Sequence, residues 1–180
     1  WPFVQTFLTH KTAPIKLFDK SFVFETYGGK IYVASKIDMD LDVISPDGKL
    51  IFNIKHPYEK IKFTSEDRKK VLNYFKNNPG TKAIFEQFKK RLVFPDIYPA
   101  IQNFFVSDDK INVMTYDEKD NKIVFYIFDL KGKFLRKGKA QLIRQTPMDI
   151  FPFWVAYGKM YQVIDNEDEE EWELHINEFK

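Results

Sequence analysis

The side chains able to ligate a metal or move a proton in this chain of 180 residues are three histidines, His10, His56 and His175, and 26 carboxylates. No two histidines stand three or four residues apart, so no helix face presents a zinc-ligating pair and no H-E-x-x-H motif occurs. A histidine metal site would therefore need contributions from distant strands. The serine elbow G-x-S-x-G, the phosphate loop G-x-x-x-x-G-K-[ST] and the dinucleotide loop G-x-G-x-x-G are all absent, and 7 glycines leave little material for a phosphate cradle. Carboxylates cluster three times. Asp165-Asn166-Glu167-Asp168-Glu169-Glu170-Glu171 is a run of oxygen ligands of the kind that suits Ca2+, without the spacing of an EF-hand loop; as a hairpin tip it is equally a solvated turn. Asp117-Glu118-Lys119-Asp120-Asn121-Lys122 reads as a second tip of the same sort. In Ile37-Asp38-Met39-Asp40-Leu41-Asp42, strand geometry would put Asp38, Asp40 and Asp42 on one face, where like charges favour a cation or basic partner, or guard an exposed strand. Two aromatic-proline segments, Phe94-Pro95 to Tyr98-Pro99 and Phe151-Pro152-Phe153-Trp154, offer flat apolar surfaces for a sugar or peptide, or for packing between elements.

The elements that must position these groups follow from composition and pattern. Hydrophobic residues make up 44% and aromatics 17%, with 19 Phe and 9 Tyr, which excludes a disordered chain and favours strands. The length fits one domain, 1–180. A net charge of +2 supports no global attraction to nucleic acid, and no apolar run is long enough to cross a membrane as a helix. Without cysteine there is no disulfide framework, thiolate metal site or thiol nucleophile. The chain starts at Trp1 rather than Met, as expected of a processed end or a fragment.

A repeated pattern organises the strands. Residues 22–26, a Gly28-Gly29 turn and 30–34 are followed by 41–44, Ser45-Pro46-Asp47-Gly48 and 49–54. The order recurs at 101–106, Ser107-Asp108-Asp109, 110–114, then 123–130, Lys131-Gly132 and 133–135. A third copy runs 151–156, Gly158, 159–163 and 172–176, stopping one strand short. Lys110 and Lys159 are 49 residues apart and Lys30 and Lys110 are 80 apart. Removing roughly 35 intervening helical residues leaves about 45, the length of a four-stranded propeller blade. The expected fold is therefore mainly β: about three antiparallel four-stranded blades of a β-propeller, with an ordinary meander or sandwich as the alternative. Three blades cannot close a ring, so further blades are expected from a longer chain or a second copy, with residues 3–8 as the closing strand or the outer strand of a preceding blade.

Between the first two units, residues 64–92 change to helical periodicity. Thr64-Ser65-Glu66-Asp67 is a helix start, Val71, Leu72 and Phe75 share a face, and Asn78-Pro79-Gly80 ends the helix. Thr81 then caps an expected second helix with Ile84, Phe85, Phe88 and Leu92 on one stripe. From Lys55 to Arg91 there are 11 Lys/Arg against 4 Asp/Glu, a basic surface for an anionic partner or a solvated helix face. The absence of arginine-aromatic interleaving speaks against nucleic acid.

Three segments resemble the six-bladed, TolB-like/NHL-like β-propeller proteins of bacteria: Phe94-Pro95-Asp96-Ile97-Tyr98-Pro99 after the helical insertion, Asp108-Asp109-Lys110-Ile111-Asn112-Val113, and Tyr126 to Lys133 with its strand, Asp, turn and Gly-Lys. The resemblance implies the C-terminal half of such a propeller and a periplasmic, secreted or lipid-anchored home; it implies no shared catalytic residue. Function is thus expected to be non-catalytic binding or scaffolding of a protein, peptide or glycan, with Tyr98, Phe151, Phe153, Trp154, Asp38 and Asp40 as candidate contacts and no cofactor beyond Ca2+. The alternatives are a metal-assisted hydrolase or lyase at the channel mouth, with His56 or His175 turned to the axis, and a structural role through self-association.

Overall fold

The computed structural model describes residues 13–18, 22–35, 38–166 and 171–179. A short strand, β1 (Ile15–Lys16), precedes three antiparallel sheets in chain order. The first is a four-stranded meander of β2 (Phe22–Tyr27), β3 (Lys30–Ser35), β4 (Asp40–Ile44) and β5 (Leu50–Lys55). After the helical segment and β6 (Leu92–Val93) comes a second four-stranded meander, β7 (Asn103–Ser107), β8 (Lys110–Lys119), β9 (Lys122–Asp129) and β10 (Phe134–Ala140). The third has three strands, β11 (Phe153–Ala156), β12 (Lys159–Asn166) and β13 (Glu171–Glu178).

The turns account for the repeat. Two-residue hairpins favour a backbone with positive φ at both central positions, because that twist matches the strands on either side. Gly28-Gly29, Asp108-Asp109 and Tyr157-Gly158 all adopt it and occupy equivalent places after the first strand of each sheet. The last hairpins of the two complete sheets also match. The Gly48 N–H donates to the Ser45 carbonyl at 2.9 Å, and the Gly132 N–H to the Asp129 carbonyl at 3.0 Å. In each, the side chain at the first position accepts from the backbone: Ser45 Oγ from Lys49 N–H, and Asp129 Oδ1 from the N–H groups of Lys131 and Lys133. Gly132 is also sterically required, since a Cβ there would lie 2.7 Å from Ile54 of the first sheet.

Strand alternation distributes the second sheet between two cores. Phe104, Ile111, Val113, Tyr126 and Phe128 pack against Tyr32, Ala34, Leu41, Val43 and Ile54 of the first sheet. Met114, Ile123, Phe125 and Ile127 face Val155 and Met160 of the third. The middle sheet is therefore covered on both faces, and β9 is buried continuously from Ile123 to Phe128. Each outer sheet buries one face and leaves the other in solvent. On the first sheet Phe22, Phe24, Leu50 and Ile51 are exposed; on the third Trp154, Val163, Trp172, Leu174 and Ile176 are.

The helical segment forms a third core around Phe63, Val71, Phe75, Phe85 and Phe88. Helix α1 (Ser65–Asn77) starts at Thr64 with a reciprocal capping box to Asp67. The second helix departs from its sequence pattern. Only α2 (Phe85–Phe88) is α-helical, flanked by single 3-10 turns at Lys82–Ile84 and Lys89–Arg91. Two competing interactions break it. The Thr81 hydroxyl donates back to the Phe75 carbonyl at 2.6 Å instead of capping, and Leu92 leaves the stripe to pair in parallel with Ile15. Among the described residues no helix is long and apolar enough to cross a membrane.

The loop between the second and third sheets is tied to the third sheet by Gln162 of β12. Gln162 is fully buried; its amide donates to the carbonyls of Ile143 (2.8 Å) and Phe151 (3.1 Å), and its oxygen accepts from the Ile143 N–H (2.8 Å). Gln162→Leu keeps the volume but orphans the Ile143 N–H and the Phe151 carbonyl, and leaves the Ile143 carbonyl with the Phe151 N–H alone; each buried orphan costs about 1–3 kcal/mol. The expected loss is about 3 kcal/mol, read as a fall in urea midpoint at unchanged slope.

Candidate functional site

The first strands of the sheets lie together along one edge, with β2 against β7 and β11 following. The hairpin turns stitch this edge. The Tyr27 hydroxyl donates to Asp109 Oδ1 at 3.0 Å, and the Gly158 N–H lies 3.4 Å from Asp108 Oδ2. The two aspartates of one turn thus reach the turns on either side.

Three residues before each turn the equivalent strand position holds Glu25, Phe105 and Trp154. These three, with Ser107 and Phe153, line a cleft of about 170 Å3 that touches all three first strands. Phe105 stands edge-on to Phe153 at 5.7 Å and 79°. Trp154 is 77% exposed, so its ring is available to a ligand without prior rearrangement. Burial pushes the Glu25 carboxyl above the usual carboxylate range, the expected cost of setting an acid against aromatic rings. A cleft with exposed aromatic faces and one desolvated carboxyl can stack on a sugar or peptide ring and accept a hydrogen bond from it.

The neighbouring rim carries Tyr157, 89% exposed and held at φ 54°, a region costly for a bulky side chain. Asn112, 2% exposed, sits between Phe105 and Ile127 in the middle sheet and lines a small cavity of about 70 Å3 with Asp108 and Ser107; its buried Oδ1 accepts no hydrogen bond among the described residues.

The sequence candidates fall into separate places. Phe153 and Trp154 belong to the cleft. Phe151 is half-buried and serves the Gln162 anchor through its carbonyl. Tyr98 lies between the helical segment and the middle sheet, stacked on Tyr116 at 4.6 Å. Asp40 and Asp42 share a face of β4, where Asn53 donates to both and Lys55 pairs with Asp40 at 3.4 Å. Asp38 is not on that strand: it lies in the turn before it, where Met39 is buried and its carbonyl accepts from His56 N–H.

His56 stacks on Phe134 at 4.4 Å and meets Tyr126 and Phe128 edge-on, and burial and the Lys137 charge hold its pKa below the usual histidine value. His175 sits on β13 with Glu173 at 2.7 Å. Neither lines the cleft. His10, residues 3–8 and Glu167 to Glu170 lie outside the described residues. Among the described residues no three His, Asp or Glu side chains gather in a metal-ligating group. No protein-family model matches the sequence, and no curated protein matches it.

Glu25 and Phe105 were not among the sequence candidates. Counting back three positions from each aligned turn finds them, but the three side chains differ in type and so leave no motif.

Glu25 gives a pH test. Its folded pKa is raised, so its contribution is fully present below about pH 4.5, the unfolded value, and is lost as pH rises through the folded one. Glu25→Gln is expected to match the parent at pH 3 and to exceed it in stability at pH 7, by urea unfolding at both pH values. Tyr157→Asn, which tolerates positive φ, is expected to gain about 1 kcal/mol in the same assay.

Proposed function

We propose that this chain is a non-catalytic binding or scaffold domain, an arc of propeller-type sheets that receives a protein, peptide or glycan at the edge where the first strands meet. The observation carrying the reading is the cleft itself, in which three equivalent strand positions contribute Glu25, Phe105 and Trp154. The face-to-face sheets and matched turns support an arc related to the six-bladed TolB-like/NHL-like propellers, and with it an extracytoplasmic location. In such an arc Phe22, Phe24, Leu50 and Ile51 of the first sheet and Val163, Trp172, Leu174 and Ile176 of the third are covered by further sheets, from a longer chain or from a second copy, and Trp154 stays open at the cleft. Self-association through these faces belongs to the same reading. The hydrolase or lyase reading has less to support it, because His56 is committed to an aromatic cluster and His175 to the outermost strand.

The test is amide and indole chemical-shift mapping with neutral oligosaccharides and short aromatic peptides. Shifts are expected at Glu25, Phe105, Trp154 and Tyr157. Trp154→Ala is expected to weaken binding by about tenfold or more, a normal loss for an exposed aromatic anchor. Shifts confined to other surfaces, or a substrate turned over in a Glu25-dependent way, would overturn the proposal.

A further inference from the structure

A second cavity, of about 420 Å3, lies away from the cleft and shares no residue with it. It opens between the first turn of α1, the segment around Tyr98, strand β8 and the loop that follows β10. Its volume is within the range of small-molecule pockets, about 300–1,000 Å3.

Its walls are irregular segments fixed by specific bonds. Lys62 forms an isolated antiparallel bridge with Ile97, the Phe63 N–H donates to the Asp96 carbonyl at 2.9 Å, and the Tyr98 N–H to the Ile61 carbonyl at 2.8 Å. Opposite, Arg144 bridges Ile150, and the Thr146 hydroxyl accepts from the N–H groups of Met148 (3.1 Å) and Asp149 (2.9 Å). Tyr98 and Tyr116 lie nearly parallel, 18° apart, and Phe18 meets both edge-on. Walls fixed in this way cost a ligand little ordering entropy.

The lining is an apolar floor under a ring of charge. Val71, Pro147 and the two tyrosine rings supply the floor. Burial raises both phenols well above the usual tyrosine value, so they stay neutral donors at physiological pH. Three cations, Lys62, Lys70 and Arg144, stand against two carboxylates, Glu66 and Asp67. Asp67 is already engaged by the Thr64 N–H (2.8 Å), the Thr64 hydroxyl (2.6 Å) and the Tyr98 phenol. Arg144 holds Glu118 at 3.1 Å. Glu66, Lys62 and Lys70 form no ion pair among the described residues, so two ammonium groups stand open on the lining against one carboxylate, and the Asp149 carboxylate is close enough to Tyr116 to act on its phenol.

We propose that this cavity binds a small organic anion, an aryl or short acyl body bearing one carboxylate. The body rests on Val71, Pro147 and the tyrosine rings, and the carboxylate meets Lys62 and Lys70 at the rim. An apolar floor alone would take a neutral molecule, and lysines alone would take any phosphate. The combination selects a ligand carrying both features.

The probes are 3-phenylpropanoate, its uncharged amide and inorganic phosphate, each titrated against the chain with readout of the Tyr98, Tyr116 and Val71 resonances. The carboxylate is expected to bind and to shift all three, with the amide and phosphate at least tenfold weaker. Lys62→Gln and Lys70→Gln, at exposed positions, are each expected to weaken the carboxylate about three- to tenfold and to leave the amide unchanged. Equal binding of acid and amide, equal binding of phosphate, or no shift at these residues would overturn the proposal.

Discussion

A sheet with two apolar faces cannot stand alone in water, and the middle sheet has two. Phe104, Val113 and Tyr126 point one way while Met114, Phe125 and Ile127 point the other. Each buried large side chain contributes about 1.5–3 kcal/mol relative to exposure, so leaving either face bare would cost more than a domain's typical net stability. The first and third sheets are therefore required on either side. Their positions in turn bring the three first strands to one edge, and the cleft follows from that arrangement.

The same constraint bears on the two outer faces. The first and third sheets meet the middle one with faces like its own, and each has a second face carrying large apolar groups: Phe24 is 66% exposed and Trp172 75%. In an isolated sandwich those faces would be polar, as alternation normally provides. Here both outer faces carry large apolar groups instead. The aspartate pair of the middle turn makes a similar point at smaller scale, since Asp108 and Asp109 reach in opposite directions to the adjoining turns.

Much of this was legible in the sequence because turn chemistry is local. Gly28-Gly29, Asp108-Asp109 and Gly158 marked the first hairpins, and Gly48 and Gly132 the last ones. The Thr64 start of α1 was equally plain, being set by neighbours in sequence. What escaped depended on distant partners. The stripe Ile84, Phe85, Phe88 and Leu92 suits a helix, but Leu92 is drawn off by Ile15, 77 residues earlier. Asp38 reads as part of an alternating strand until Met39 is needed in the core. Phe153 and Trp154 were legible as aromatics at a first strand, whereas Tyr98 has the same local pattern and serves a different cavity. Glu25 looks like any surface carboxylate, and only the partner strands reveal that it is desolvated.

The central claim is the two-sided burial of the middle sheet, and native-state amide hydrogen exchange measures it residue by residue. The account predicts that β8 and β9 amides, from Ile111 to Met114 and from Ile123 to Phe128, open only with global unfolding. Amides of β2 and β13, each on an outer sheet with one bare face, should exchange at lower free energy. Protection of β13 equal to that of β9, or early exchange along β9, would contradict it.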